Sequence, residues 1–233
     1  GMLYRKFSAM RELGVSNVML CWYFGNYPGI MNRAAGELSF EPFPETGAAF
    51  MSRLVGPEWG RHAETVARAM SLFTEGYGHY PLVTEFQYWG PMHDGVVWPL
   101  LLRPRDVPLA PTWQIAWHTG KHIGTPFAPS GDRIGEALGQ VYTLPEAIEE
   151  CRAMSGLWDQ GVALLREVEA DPGLLPERRL DIGVARALGI QFRSGLNILR
   201  FYDLRERMVN EPPEKQRVTL GEMRRIVEDE HKS

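Results

Sequence analysis

Cysteine is scarce: Cys21 and Cys151 are the only two in 233 residues, and they stand far apart in unlike surroundings. A disulfide framework or a zinc ribbon needs more thiols at closer spacing, so both side chains read as small apolar packing residues. No run of about 18 apolar residues is present, so no transmembrane helix is expected. No long apolar segment follows the opening Gly-Met-Leu-Tyr-Arg-Lys, so it does not read as a signal peptide. Excess positive charge is also lacking. A net charge of −4 and a pI of about 5.9 give no global sign of a nucleic-acid partner. There is no HExxH, Walker A loop, GxGxxG after a strand or GxSxG elbow, which disfavours a metalloprotease, a P-loop NTPase, a dinucleotide enzyme and an esterase. His118 and His122 are four apart, but Gly120 and Gly124 argue against a helix presenting both to a metal. No metal or cofactor is expected. The chain reads as soluble, and as cytoplasmic if its amino terminus is native.

Apolar and aromatic residues are present in quantity. Hydrophobic residues make up 44% and charged residues 23%, enough to bury a core without staples. Seven Trp, eight Tyr and ten Phe suit either a core rich in large side chains or a surface for sugar rings. Leu3, Phe7, Met10 and Leu13 fall on one helical stripe over residues 2–13, with Gly14 as the cap beyond the end. Ser16 to Phe24 is a short, nearly continuous apolar run that reads as a strand buried on both faces. Gly25 to Gly29 breaks it, and 29–36 reads as a short helix. This opening is one αβα slice of a parallel architecture. A loop is expected over 41–47 and an amphipathic helix over 57–77, starting at Pro57 with Trp59, Val66, Met70 and Phe73 inward. Prolines at 81, 91, 99, 104, 108 and 111 make 81–111 extended and irregular.

Two strong helices follow, over 144–170 and 176–209. Thr143 and Glu146 have capping-box spacing at the start of the first. Asp171-Pro172-Gly173 turns the chain between them, so they should pack antiparallel. A further helix is expected from Thr219 onward. The fold class is therefore mainly α: a terminal β/α unit over 1–40, a helix with Pro/Gly-rich loops over 41–143, and a long-helix bundle over 144–233. A chain that opens on a lone α/β slice and closes inside a helix reads as an excised piece.

Four groups of residues bear on chemistry. At the exit of the expected strand, Trp22, Tyr23 and Tyr27 offer rings for sugar stacking and Asn26 an amide for hydroxyls, because ligands sit at the carboxyl ends of strands in such folds. An ordinary aromatic core reads equally well. Tyr88, Trp89, His93, Asp94 and Trp98 form a second aromatic and polar stretch, which reads as a binding loop or as a loop packed under the helices. Sugar hydrolysis needs two carboxylates. Glu37, Glu41 and Asp94 are the candidates carried forward, with Glu45 and Glu85 in the same neighbourhoods. Finally, Arg179, Arg186, Arg193, Arg200 and Arg207 recur every seven residues, one stripe that drifts only about 20° per heptad. It can face the acids Glu146, Glu150, Asp159 and Glu167, dock a partner, or stand in solvent. Around it, Ile182, Ala185, Phe192, Leu196, Leu199 and Tyr202 read as core.

Trp22-Tyr23-Phe24-Gly25-Asn26-Tyr27-Pro28 resembles an element of a group of bacterial glycoside-hydrolase-like proteins, in which Trp-x-x-Gly-x-Tyr-Pro ends the last strand of a TIM barrel and a helical region follows. Ala67 to Pro81, Tyr88-Trp89-Gly90-Pro91, and Phe192 to Asn197 with Phe201 to Arg205 are similar to later elements of that group. The resemblance implies the last slice of a TIM-like barrel, with seven upstream strands and their catalytic acids missing. The implied function is carbohydrate processing, with a carbohydrate ligand and the missing barrel domain as partners. The chain itself would contribute Trp22, Tyr23, Asn26, Tyr27, Tyr88, Trp89, His93 and Trp98 to sugar binding and be inactive alone. The alternative is a non-catalytic helical interaction module that uses the arginine stripe.

Overall fold

The computed structural model describes residues 1–19, 29–82, 100–102 and 141–232. Every regular element among them is a helix, and none is long and apolar enough to cross a membrane. In chain order these are α1 (Met2–Glu12), α2 (Ile30–Ser39), α3 (Gly47–Trp59), a 3₁₀ turn (Gly60–His62), α4 (Ala63–Tyr77), α5 (Leu144–Glu169), α6 (Pro176–Met208) and α7 (Pro213–Glu230). The chain forms two units, residues 1–75 with 157–186, and residues 76–156 with 187–233. No strand is present among the described residues. Ser16 to Met19 take no regular structure, and the remainder of the expected strand lies outside the described residues.

In the first unit, α1 ends as its sequence dictates, with Gly14 at φ +71° just past the helix. Phe7 is buried and Leu3 and Met10 pack beside it. Leu13, expected inward, is instead 80% exposed, because it is the cap residue at which the chain already leaves the helix. Helix α2 buries Ala34, Ala35 and Leu38, and α3 buries Phe50, Leu54, Val55 and Trp59 along one face. Thr46 starts α3 by accepting a hydrogen bond from the Ala49 N–H at 3.0 Å. Tyr4 stacks on Phe43 and Phe50, with ring centroids at 5.7 and 5.8 Å, and its hydroxyl donates to the Pro44 carbonyl. The helix expected to begin at Pro57 does not. Pro57 lies inside the last turn of α3, and Gly60 at φ +48° then turns the chain toward α4. The α4 residues Val66, Ala69 and Phe73 are buried.

The end of α5 and the start of α6 run antiparallel within this unit. Trp158 Nε1 donates to the Ala185 carbonyl at 2.8 Å, and Arg186 reaches both carboxylate oxygens of Glu169 at 3.1 Å. Arg179 donates at 2.7 Å to the carbonyl of Glu169, which the end of α5 leaves open, and at 2.6 Å to that of Asp171 in the turn. Two members of the arginine stripe thus close the α5–α6 turn. Asp171 completes the turn: it accepts from the Gly173 N–H at 2.9 Å and meets His62 Nε2 at 2.7 Å and Arg61 at 2.6 Å.

The His62 hydrogen bond first, then the Gly173 N–H and Arg61, hold the Asp171 carboxyl well below its ordinary value of 3.8. A depressed carboxyl contributes stability above 3.8 that fades as pH falls through the lower folded value. Asp171→Asn keeps an acceptor for Gly173 but not the charge. The variant should melt below the parent near pH 6, and the gap should begin to narrow only below 3.8 and be clearly smaller near about pH 2. Thermal melts at the two pH values check this; a constant gap would mean that the charge contributes nothing.

In the second unit, Ala147, Ile148, Cys151 and Met154 of α5 are buried, as are Phe192, Leu196, Ile198, Leu199, Phe201, Tyr202 and Leu204 of α6. Together with Ile182 and Ala185 of the first unit, all six α6 positions read as core are buried. The Cys151 side chain packs as a small apolar group, and burial pushes its thiol up to about 12. Cys21 lies outside the described residues. The capping box forms as its spacing predicts: the Thr143 N–H donates to Glu146 at 2.8 Å, and Glu146 N–H points back to Thr143 Oγ1 at 3.4 Å. His79 meets Glu150 at 2.8 Å.

Helix α7 starts at Pro213, not at Thr219. Pro212 is extended at the cap and Pro213 occupies the first helical position, where no N–H is needed. It runs back along α6: Gln216 donates to the Met208 and Glu211 carbonyls, and Asn197 donates to Asp229 and Glu230 at 3.0 Å.

Candidate functional site

Helices α2 and α3 leave a groove of about 420 Å³ in the first unit. That volume falls within the range typical of small-molecule sites, roughly 300–1,000 Å³. From α2 and its cap come Arg33, Gly36, Glu37 and Phe40; from α3 come Arg53, Leu54, Pro57 and Glu58. The polar residues recur at helical spacing. Arg33 and Glu37 are one turn apart on α2, and Arg53 and Glu58 lie near the end of α3.

Two tiers of ion pairs build the walls. In the outer tier, Arg53 Nε meets Glu37 Oε2 at 2.6 Å while Arg53 Nη1 donates to the Pro42 carbonyl at 2.6 Å. In the inner tier Arg33 meets Glu58, and Arg178 Nη1 meets Glu58 Oε2 at 2.5 Å and Asp181 Oδ2 at 2.9 Å. Arg33 Nη2 lies 3.5 Å from the same Asp181 oxygen. The Arg178 and Asp181 side chains are only 7% and 6% exposed. Trp59 lies under the Arg178 guanidinium, 5.5 Å from ring centroid to cation. Asp181 also accepts the Ile30 N–H, capping an amide that the start of α2 leaves open. Burial raises the Asp181 carboxyl, partly offset by Arg178 and Arg33. Burial, then the neighbouring Arg178, pulls the Arg33 guanidinium down.

Phe40 lines the groove and is 73% exposed. A flat apolar ring beside paired carboxylates and guanidinia is a binding geometry, offering stacking and hydrogen bonds of both senses.

No family model, curated protein or solved structure matches the chain. Its chemistry therefore rests on its own residues. Of the carboxylates expected from the sequence, Glu37 lines the groove. Glu41 is paired with Arg11 at 2.6 Å and accepts the Phe43 N–H; these contacts, Arg11 first, lower its carboxyl. It is absent from the groove lining. Asp94 lies outside the described residues, as do Trp22, Tyr23, Asn26, Tyr27, Tyr88, Trp89, His93 and Trp98. No group of three or more His, Cys, Asp or Glu able to hold a metal occurs among the described residues. Sequence reasoning missed Arg33, Phe40, Arg53, Glu58, Arg178 and Asp181. The four-residue step from Arg33 to Glu37 was a usable signal, but the expected helix stopped at residue 36.

Proposed function

We propose that this chain is the helical part of a carbohydrate-active, glycoside-hydrolase-like protein and that it binds sugar without cleaving it. Catalytic acids would come from the barrel that the sequence resemblance implies. The observation that carries the binding half is the exposed Phe40 lining a groove walled by Glu37–Arg53 and Arg33–Glu58. Sugars present a C–H face to an aromatic ring and hydroxyls to acceptors and donors, which suits this composition. The aromatic segments around Trp22 and Trp89 support the same reading from sequence. The arginine stripe favours a partner-docking role less, since Arg179 and Arg186 close the α5–α6 turn and Arg207 pairs with Asp203 at 2.6 Å.

Calorimetric titration with soluble oligosaccharides tests the proposal. At least one should bind, and Phe40→Ala should weaken it about tenfold, the order of one stacking contact. Phe40 is exposed, so the variant should keep its helical circular dichroism. Absence of binding to every sugar would end the carbohydrate reading.

A further inference from the structure

We infer that the α2–α3 groove selects an uncharged sugar unit, placing a vicinal pair of hydroxyls across Glu37 and Arg53, and discriminates against uronates and amino sugars; this rests on the sugar-binding reading above. The basis is charge balance. Arg33, Arg53 and Arg178 face Glu37, Glu58 and Asp181, and each carboxylate touches a guanidinium. A uronate needs a guanidinium without a counter-ion. Arg53 already stands against Glu37 and Arg33 against Glu58, so neither offers an uncompensated positive charge. An amino sugar needs a carboxylate without a counter-ion. Glu58 Oε2 is taken by two guanidinia, and Glu37 Oε2 is buried against Arg53. A charged ligand would therefore shed water without a net opposite charge to receive it. A hydroxyl both donates and accepts. Neighbouring hydroxyls can give a proton to Glu37, whose side chain remains 38% exposed, and accept one from Arg53 at 37%. The ring's apolar face then lies against Phe40.

The test titrates three probes of matched linkage: a neutral hexose disaccharide, its uronate counterpart and its 2-amino counterpart. Each is measured at about 20 mM and about 300 mM salt, where screening differs strongly. The neutral probe should bind at least about tenfold more tightly than either charged one, with a Kd that salt leaves unchanged. Glu37→Gln removes one negative charge and keeps the shape. In that variant the uronate should gain about tenfold over the neutral sugar at low salt and lose the gain at high salt. Equal or tighter uronate or amino-sugar binding by the parent overturns the selectivity while the sugar-binding reading stands. An unchanged preference in Glu37→Gln overturns the placement in this groove. If no probe binds at either salt, both inferences fall.

Discussion

Replacing Arg178 with alanine should cost the fold about 3–5 kcal/mol, the expense of stripping one partner from a buried ion pair. Arg178 alone joins Glu58 of α3 to Asp181 of α6 through a single nitrogen, and its side chain is almost wholly buried. Without it, two carboxylates depend on Arg33, whose nearer contact is Glu58 and which lies 3.5 Å from Asp181. The loss should depend on pH. Burial holds the Asp181 carboxyl above its ordinary 3.8 even in the parent. A raised carboxyl binds its proton more readily in the folded state, so its contribution is present below 3.8 and lost as pH rises through the folded value. Removing Arg178 pushes that value further up. Urea titrations should therefore show a deficit that is largest near pH 7 and shrinks toward about pH 5. In Arg178→Ala with Asp181→Asn the unpaired charge is gone, and part of the loss should return. A single-variant cost under about 1 kcal/mol, flat with pH, would show the network to be solvated.

This network also marks where local reasoning stopped. Helices α5 and α6 were legible because each carries its own boundary signals. The Thr143–Glu146 box opens the first, Asp171-Pro172-Gly173 separates them, and an apolar stripe runs along α6. Helix α3 was not legible. Gly47, Gly56 and Pro57 lower its helix propensity, and burial of Phe50, Leu54, Val55 and Trp59 overrides them, which no local pattern weighs correctly. The groove inherits that failure. Its walls come from α2 and α3, and its inner tier from residues 178 and 181, more than a hundred positions along the chain from α3. In the sequence Glu37 stands as a lone carboxylate whose counter-ion is not visible. Its partner Arg53 is sixteen residues away, in a helix absent from the expected order.

Trp158→Ala should be the comparable loss in the apolar part of the same unit, again about 3–5 kcal/mol, the range for large aromatic truncations in cores. The indole is 7% exposed, its ring centroid lies 4.4 Å from that of Phe73 on α4, and its N–H reaches Ala185 on α6. One side chain thus joins three helices by packing and by a buried hydrogen bond. Trp158→Phe separates the two contributions: it keeps most of the ring and gives up the N–H, so it should cost nearer 1 kcal/mol from the bond, plus a smaller cavity. Gly161 tests the packing from the other side. A Cβ there would meet the Phe73 ring, with Cδ1 at 2.8 Å, and that ring is held by Trp158. Overpacking of about 1–3 kcal/mol outweighs the roughly 0.5–1 kcal/mol that alanine brings to a helix, so Gly161→Ala should destabilise. Gly183→Ala on α6 meets nothing within 4 Å and should stabilise by the helix term alone. Thermal and urea unfolding of the four variants measure these effects. Opposite signs for the two glycines, with Trp158→Ala well below Trp158→Phe, would establish that Phe73 and Trp158 are packed as rigidly as their ring contact implies. A stabilised Gly161→Ala would show instead that the Phe73 ring has room to move aside.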